Sequence, residues 1–301
     1  MFADRDRARA FALLGLVMLL WAGNSIVARA VRFDVGPFTL AFIRWAGASL
    51  AVAPFAWSAL RRDWPAIRAG WRPILLLGLL GIGAFNALLY SGLRYTPATN
   101  ALLLQAAVPA LVMLLDRLFF GVRAGLWPSL GVGASILGVL VIVFEADATA
   151  ALRLRFGLGD GLILISVVVW ALYTVLLRLR PNIAPVSFIA VTFWVGVATM
   201  APLAALEWYS GMTIRWSPEL GAAFLYVALL PSLLAYFIYN YATGIVGPAR
   251  AGQAITMMPL FGALLAAALL GERLHAFHFA GMVLILAGIV VAALAPRHAG
   301  R

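Results

Sequence analysis

The feature that most constrains this chain is a series of ten long apolar stretches, separated by short polar connections. A helix needs roughly 20 mostly apolar residues to cross the hydrocarbon core of a bilayer. A membrane β-barrel would instead show alternating stretches of about 10 residues. The continuous stretches therefore predict an all-α membrane protein with ten transmembrane helices. The predicted spans lie near residues 11–30, 36–57, 72–93, 97–119, 125–144, 157–178, 185–206, 217–242, 248–270 and 275–295.

The composition supports lipid as the solvent, because 64% of the 301 residues are hydrophobic and only 11% are charged. A soluble domain carries about 45–50% apolar and about 25% charged residues. The basic residues are all Arg, and they are concentrated in the loops on the same side as the N-terminus. Positively charged loops remain in the cytoplasm, so both termini are predicted to be cytoplasmic. The net charge of +11 follows from this topology, and no nucleic-acid partner is predicted.

The second half of the chain repeats the residue spacing of the first. The stretch "FFGVRAGLWPSLGVGASILGVLVI" matches "LLGERLHAFHFAGMVLILAGIVVA" further along the chain, and "LLWAGNSIVAR" matches "VVWALYTVLLR". We therefore predict two five-helix repeats, residues 1–150 and 151–301. Because five is odd, the second repeat would enter the membrane from the opposite side. Such inverted-topology repeats around a central cavity are common in secondary transporters, where they support alternating access.

Glycines recur on the helices that end the two repeats. Gly131 and Gly138 are seven residues apart, and so are Gly281 and Gly288, so each pair shares one helix face. Small residues let helices approach closely in lipid. These four glycines are predicted to pack helices five and ten, with a homodimer contact as one use of those helices.

The motifs already quoted, together with "PFTLAFIRW" and "LRYTPATNALLLQAAVPALVMLL", resemble those of the EamA-type branch of the drug/metabolite transporter superfamily. The resemblance spans nearly the whole chain. It implies a secondary transporter of the bacterial inner membrane, with a central cavity lined by helices one, three, four, six, eight and nine. Within the superfamily the chain is most similar to the exporters of aromatic amino acids.

Arg44 is the one formal charge well inside a predicted span, roughly 12 Å from the start of its helix. A charge at this depth is a functional hypothesis by default. Arg44 is a candidate for attracting a substrate carboxylate. The alternative is that it extends outward to the interface or bonds to carbonyl groups of a neighbouring helix and holds the fold.

Aromatic and polar side chains supply the other candidate cavity residues. Trp21 and Trp170 lie too deep for an interfacial aromatic belt, so they either pack the core or form a paired aromatic wall. Polar groups at membrane depth need a partner or a water-filled cavity. The remaining candidates are Asn24, Asn86, Tyr90, Asn100, Gln105, Tyr173, Tyr236, Asn240, Gln253 and Thr256.

Two prolines occupy matching positions in the middle of predicted spans four and nine. Pro109 and Pro259 each free a backbone carbonyl and permit bending. They are predicted to act either as static kinks or as hinges between the two halves.

The residue inventory restricts the chemistry. The chain has no Cys and no Lys, and its three His lie near the last span or the tail, so no cofactor or metal is predicted. An intramembrane enzyme or a scaffold is disfavoured, because a deep nucleophile–base pair and a large loop are both missing from the sequence. We expect a small-molecule substrate, most simply an aromatic or other neutral amino acid. A broad drug or nucleotide-sugar carrier is the alternative.

Energy coupling is predicted from the acidic residues. None lies deep in a predicted span, whereas proton-coupled carriers usually place a carboxylate in the pathway. This pattern favours facilitated flux. Proton antiport stays open through Asp116 or Glu272 if their helices are longer than predicted.

Overall fold

The computed structural model describes residues 2–105, 107–122, 125–143, 157–246, 251–252, 254–271 and 274–293. Every regular element in these ranges is helical. In the first half the helices are α1 (Phe2–Ala30), α2 (Pro37–Ala69), α3 (Trp71–Gly78), α4 (Phe85–Leu93), α5 (Ala98–Gln105), α6 (Val108–Phe120) and α7 (Leu126–Val143). In the second half they are α8 (Leu158–Leu176), α9 (Pro185–Tyr209), α10 (Pro218–Ala228), α11 (Ala235–Val246), α12 (Met258–Leu270) and α13 (Ala276–Ala293).

Six helical stretches in the described ranges are long and apolar enough to cross a membrane. They are Ala8–Ala30, Pro37–Ala69, Trp71–Gly92, Leu158–Leu179, Pro185–Tyr209 and Pro218–Thr243. Shorter apolar helices accompany them at Leu126–Gly138, Ile255–Leu270 and Ala276–Gly288. The chain is therefore a multi-pass α-helical membrane protein.

The predicted spans that differ from the observed helices include the second and the fourth. The second was predicted to end near residue 57, but α2 continues to Ala69. Its last turns carry Arg61, Arg62 and Arg68, so a polar extension follows the apolar part, and the helix continues through Pro54 and Pro65 until Gly70. The fourth was predicted as one helix, but α5 ends at Gln105 and α6 begins at Val108. Pro109 explains the break, because its ring and missing N–H prevent the helix from continuing backwards.

The internal repeat is visible in the element boundaries. A π-helical turn at Leu79–Ala84 joins α3 to α4, and a second at Leu229–Leu234 joins α10 to α11. The bounds of α12 and α13 follow those of α6 and α7 at an offset of 150 residues. Both α6 and α12 end at a glycine in the left-handed region, Gly121 with φ 66° and Gly271 with φ 68°.

Contacts between the halves are reciprocal. Helix α1 packs against α11 and α12, while α8 packs against α4 and α6. Helix α2 packs along α9, and α7 along α13. Helix α8 is the repeat counterpart of α1, and its partners α4 and α6 are the counterparts of α11 and α12, so the two halves contact each other in the same way.

The α2–α9 pair is fixed by two carboxylates that each cap the other helix. Glu207, near the end of α9, accepts hydrogen bonds from the backbone N–H groups of Phe38 (3.0 Å) and Thr39 (2.8 Å) in the first turn of α2. Asp63, near the end of α2, accepts one from the backbone N–H of Ala184 (2.8 Å), which precedes α9. The first N–H groups of a helix have no partner within it, so a carboxylate stabilises them by hydrogen bonding and by its charge.

Candidate functional site

The centre of the molecule is organised around Arg44 of α2, which is only 3% exposed. Its Nη1 donates hydrogen bonds to Asn24 Oδ1 (3.2 Å), Asn86 Oδ1 (2.8 Å) and the hydroxyl of Tyr90 (2.7 Å). Its Nε donates to Ser232 Oγ (2.6 Å). The side chain thus joins α1, α2, α4 and the second π-helical turn. Within the described residues, Arg44 is buried and bonds to side chains of neighbouring segments rather than to their backbone carbonyl groups, an arrangement that also helps to hold these segments together.

The two π-helical turns explain why polar groups meet here. In a π turn the backbone departs from the regular pattern, and such turns are frequent at functional sites. Ser232 lies in the second turn, and its hydroxyl donates to the Val227 carbonyl (2.7 Å). Asn86 follows the first turn, and its Nδ2 donates to the Ile82 carbonyl (3.0 Å). Each side chain is therefore anchored to its own helix and presents its oxygen to Arg44.

Neutral groups alone surround the guanidinium in the described part of the chain. Its hydrogen-bond acceptors are a hydroxyl of Ser, a hydroxyl of Tyr and two carboxamides. The guanidinium carbon also lies 4.4 Å from the ring centroid of Trp45, a cation–π distance. The described ion pairs belong to Arg62 and Arg178 instead. Among the described residues Arg44 therefore has no paired anion, and it brings one positive charge to the centre of the molecule.

An aromatic cluster lies beside this charge. Trp21 contacts Trp170 (ring centroids 5.8 Å apart), Tyr236 (5.8 Å) and Tyr239 (5.1 Å). Trp170 also contacts Phe85 at 4.7 Å. The two tryptophans come from α1 and α8, so this cluster joins both halves of the chain, and both rings are buried in the core.

The two tryptophans differ in their hydrogen bonding. The indole Nε1 of Trp21 donates to the Pro231 carbonyl (2.9 Å), so the second π-helical turn holds that ring. No acceptor is found for Trp170 Nε1 among the described residues. One indole is therefore fixed, and the other has an unused donor.

A narrow cavity lies between the charge and the aromatic cluster. Its volume is about 30 Å³, which admits water molecules but is too small for an indole ring. Six predicted cavity residues line it, namely Trp21, Asn24, Arg44, Gln105, Trp170 and Tyr236. The sequence prediction did not include the other six, which are Ser25, Phe85, Leu89, Val108, Ile255 and Met258. Most of these are apolar, and an apolar residue on an apolar helix gives no signal that distinguishes a cavity from the core or from lipid.

Other predicted residues lie around this cavity rather than in its lining. Asn86 and Tyr90 accept hydrogen bonds from Arg44 outside the lining. The Tyr173 ring contacts Trp170 in a tilted arrangement, with the ring centroids 5.1 Å apart. Asn240 donates to the Tyr236 carbonyl of its own helix (2.7 Å).

The last three predicted polar residues have different positions. Thr256 is buried but is not part of the lining, and Asn100 is exposed on the surface. Gln253 lies outside the described residues.

The predicted hinge prolines occupy matching places. Pro109 and Pro259 are each the second residue of their helices, α6 and α12. Helix α6 follows the break after Gln105, and α12 follows a 3₁₀ turn at Ile255–Met257. Val108 and Met258, the residues directly before the prolines, both line the cavity. The two helix breaks therefore border it.

The predicted packing glycines lie where α7 meets α13 within one chain. A Cβ atom at Gly138 would lie 2.6 Å from the Gly281 carbonyl oxygen, and one at Gly288 would overlap the Gly131 carbonyl. The helices are close enough that only hydrogen fits at these positions.

The described acidic side chains lie at helix ends, away from the cavity. Asp116 pairs with Arg178, whose guanidinium lies over the Phe120 ring. Asp160 accepts from the Thr96 hydroxyl (2.9 Å), and Glu207 caps α2. Glu272 lies outside the described residues. The described cavity lining therefore carries one cation and no anion.

These features define a class of protein: a multi-pass helical membrane transporter with a polar and aromatic cavity between two halves. The EamA-like transporter family matches the chain twice, at residues 9–144 and 157–294. The chain belongs to this family and is a transporter, not an enzyme.

Relatives and solved structures agree with this assignment. An uncharacterized transporter of Archaeoglobus fulgidus is 29% identical over 92% of this chain and 94% of its own length. A probable terminal-alkyne amino-acid exporter of Streptantibioticus cattleyicolor is 26% identical over 94% of this chain and 93% of its own. A crystal structure that is 20% identical superimposes with a TM-score of 0.68, covering 95% of this chain and 97% of that one, which shows a shared fold.

Proposed function

We propose that the chain exports small metabolites, foremost aromatic and other neutral amino acids, across the bacterial inner membrane. The observation that carries this proposal is the joint placement of Arg44, Trp21 and Trp170 around one central cavity. A cation suits a carboxylate, and flat rings suit an aromatic or apolar side chain. The similarity to a probable amino-acid exporter and the resemblance of the motifs to the aromatic amino acid exporter YddG support the same substrate class.

The proposed architecture is two five-helix repeats of inverted topology, residues 1–150 and 151–301, giving ten spans with both termini in the cytoplasm. The matching element boundaries and the reciprocal contacts between halves support it. This architecture is typical of transporters that work by alternating access. The cavity is too small for an amino acid, so it would have to enlarge before a substrate can enter. The two helix breaks at Pro109 and Pro259 are the proposed hinges. A homodimer through helices five and ten would use the faces of α7 and α13 that do not contact each other.

Flux is proposed to be facilitated rather than proton-coupled. The described lining contains no carboxylate, and Asp116 is paired with Arg178 at the ends of their helices. A nucleotide-sugar carrier is disfavoured for a related reason, because its phosphates would need several cations. Arg44 is the single cation in the described lining.

The test uses purified protein in liposomes with labelled tryptophan, phenylalanine and threonine, with and without a pH gradient. Aromatic uptake that needs no gradient is the expected result. Uptake only with a proton gradient would favour antiport and direct attention to Asp116 and Glu272. No flux of any amino acid, in protein shown to be folded, would reject the amino-acid assignment in favour of a broader drug or metabolite carrier.

A further inference from the structure

The charges of the cavity lining favour the carboxylate of an amino acid over its ammonium group. A free amino acid carries a carboxylate and an ammonium, and each loses water when it enters a membrane cavity. The described lining offers a permanent cation in Arg44 and no Asp or Glu. The two ends therefore meet very different environments.

The carboxylate end has a built partner. The hydrogen bonds of Arg44 to protein use Nε and Nη1, and the described residues provide no acceptor for Nη2. Those bonds also fix the guanidinium in place, because its four acceptors come from three different segments, namely α1, α4 and the second π-helical turn. A carboxylate at Nη2 would neutralise a buried charge and form charge-assisted hydrogen bonds, which are about twice as strong as neutral ones. The free Nε1 of Trp170 is a second donor in the same lining.

The ammonium end has no comparable partner among the described residues. Asp116, Asp160 and Glu207 already accept hydrogen bonds or pair at helix ends. Aromatic faces attract a cation, but Arg44 in the same lining repels it, and this repulsion is strong where water is excluded. The cavity thus stabilises an anion better than a cation, and an amino group would meet only uncharged acceptors in the described lining, such as Gln105 and Tyr236.

We propose that the cavity selects its substrates by the carboxylate alone, so that aromatic monocarboxylates without an amino group are substrates too. Arg44 is the anchor, and Trp170 is a specificity-determining donor. This inference rests on the proposed function for the location of the site. It extends the substrate class to the desamino and 2-oxo counterparts of aromatic amino acids, and it excludes aromatic amines.

The experiment compares three ligands with the same phenyl ring. Phenylalanine has both charges, 3-phenylpropionate lacks the ammonium, and phenethylamine lacks the carboxylate. Proteoliposomes loaded with unlabelled phenylalanine exchange it for labelled phenylalanine outside, with each compound as competitor. Labelled 3-phenylpropionate is followed directly at pH 8, with protein-free liposomes correcting for passive entry of the neutral acid.

We expect 3-phenylpropionate to compete as well as phenylalanine or better and to be exchanged itself. Phenethylamine is expected to be at least about tenfold weaker, the loss that follows from removing a hydrogen bond to a charged group. Phenylalanine exchange without any effect of 3-phenylpropionate would overturn the inference and leave the proposed function intact. Equal competition by phenethylamine would overturn it as well.

A binding measurement keeps the inference testable if no amino acid is transported. The intrinsic tryptophan fluorescence of the purified protein is titrated with the same three compounds, since two tryptophans line the cavity. Binding of 3-phenylpropionate but not of phenethylamine would support the inference even if amino-acid export fails. Binding of neither acid would reject it.

The variant Trp170→Phe tests the second donor while keeping an aromatic ring. We expect the affinity for 3-phenylpropionate to fall several-fold, while the weak affinity for phenethylamine stays unchanged. Arg44→Gln should remove the preference for the acid, provided that its thermal unfolding shows a folded protein. A Trp170→Phe protein with unaltered affinity for the acid would remove Trp170 from the site.

Discussion

Arg44 Nε donates a 2.6 Å hydrogen bond to Ser232 Oγ, a contact that joins α2 in the first half to the second π-helical turn in the other. Ser232 in turn donates to the Val227 carbonyl, so its hydroxyl acts both as an acceptor and as a donor. The residue is fully buried. The hydroxyl therefore fixes the guanidinium relative to the other half of the molecule.

Replacing Ser232 by Ala should lower both stability and transport. Arg44 Nε and the Val227 carbonyl would lose a buried partner, at a cost of about 1–3 kcal/mol in the free energy of unfolding. Thermal unfolding of the detergent-solubilised protein and initial exchange rates measure the two effects. Ser166→Ala is the matched control, because Ser166 is equally buried but donates only to the Ile163 carbonyl of its own helix. Equal losses in the two variants would contradict the role given to Ser232.

The capping carboxylates make a second prediction. Glu207→Gln should destabilise the protein by about 1–2 kcal/mol, because the amide replaces one acceptor oxygen with a donor that faces backbone N–H groups of α2. Gly36→Ala should act on the same contact, since an added Cβ atom would overlap the Glu207 carboxylate. Glu219→Gln is the control, because this exposed acid also lies near a helix N-terminus but caps no other helix. Unfolding temperatures that fall equally for Glu207→Gln and Glu219→Gln would argue against the cap.

The glycines between α7 and α13 give a third prediction. Gly138→Ala places a methyl group against the Gly281 carbonyl, and Gly288→Ala does so against that of Gly131. Because these obstacles are backbone atoms, the helices must separate, and we expect a loss of about 1–3 kcal/mol for each. Gly133→Ala, on the opposite face of α7, meets nothing within 4 Å and should leave the unfolding temperature unchanged or higher. A similar loss in Gly133→Ala would contradict the packing explanation, because alanine favours a helix more than glycine and meets no atom within 4 Å at this position.

The sequence predicted the helices well where long apolar runs define them, and it placed Arg44, Trp21 and Trp170 among the central residues. It did not predict the π-helical turns, because a single inserted residue leaves the hydropathy of a span unchanged. It also missed Ser232, because the role of this residue depends on its contact with Arg44 of α2, and a sequence pattern does not show that contact. Asn100 was grouped with the cavity because its polarity is unusual in that span, yet polarity alone does not specify the helix face.

The helix breaks beside the cavity make the last prediction. Pro109 and Pro259 each lie at the second position of a helix that follows an interruption, and the residues directly before them line the cavity. Alanine would restore the N–H group and relieve the ring clash, so α5 and α6 could join into one straighter helix. If the breaks are hinges, Pro109→Ala and Pro259→Ala should lower the maximal exchange rate several-fold with little change in half-saturating substrate concentration or in the unfolding temperature. Pro54→Ala, in an exposed part of the long α2 helix, is the control and should retain the wild-type rate. A change in half-saturation alone would instead indicate that the prolines shape the binding site, and unchanged kinetics in both variants would leave them as static kinks.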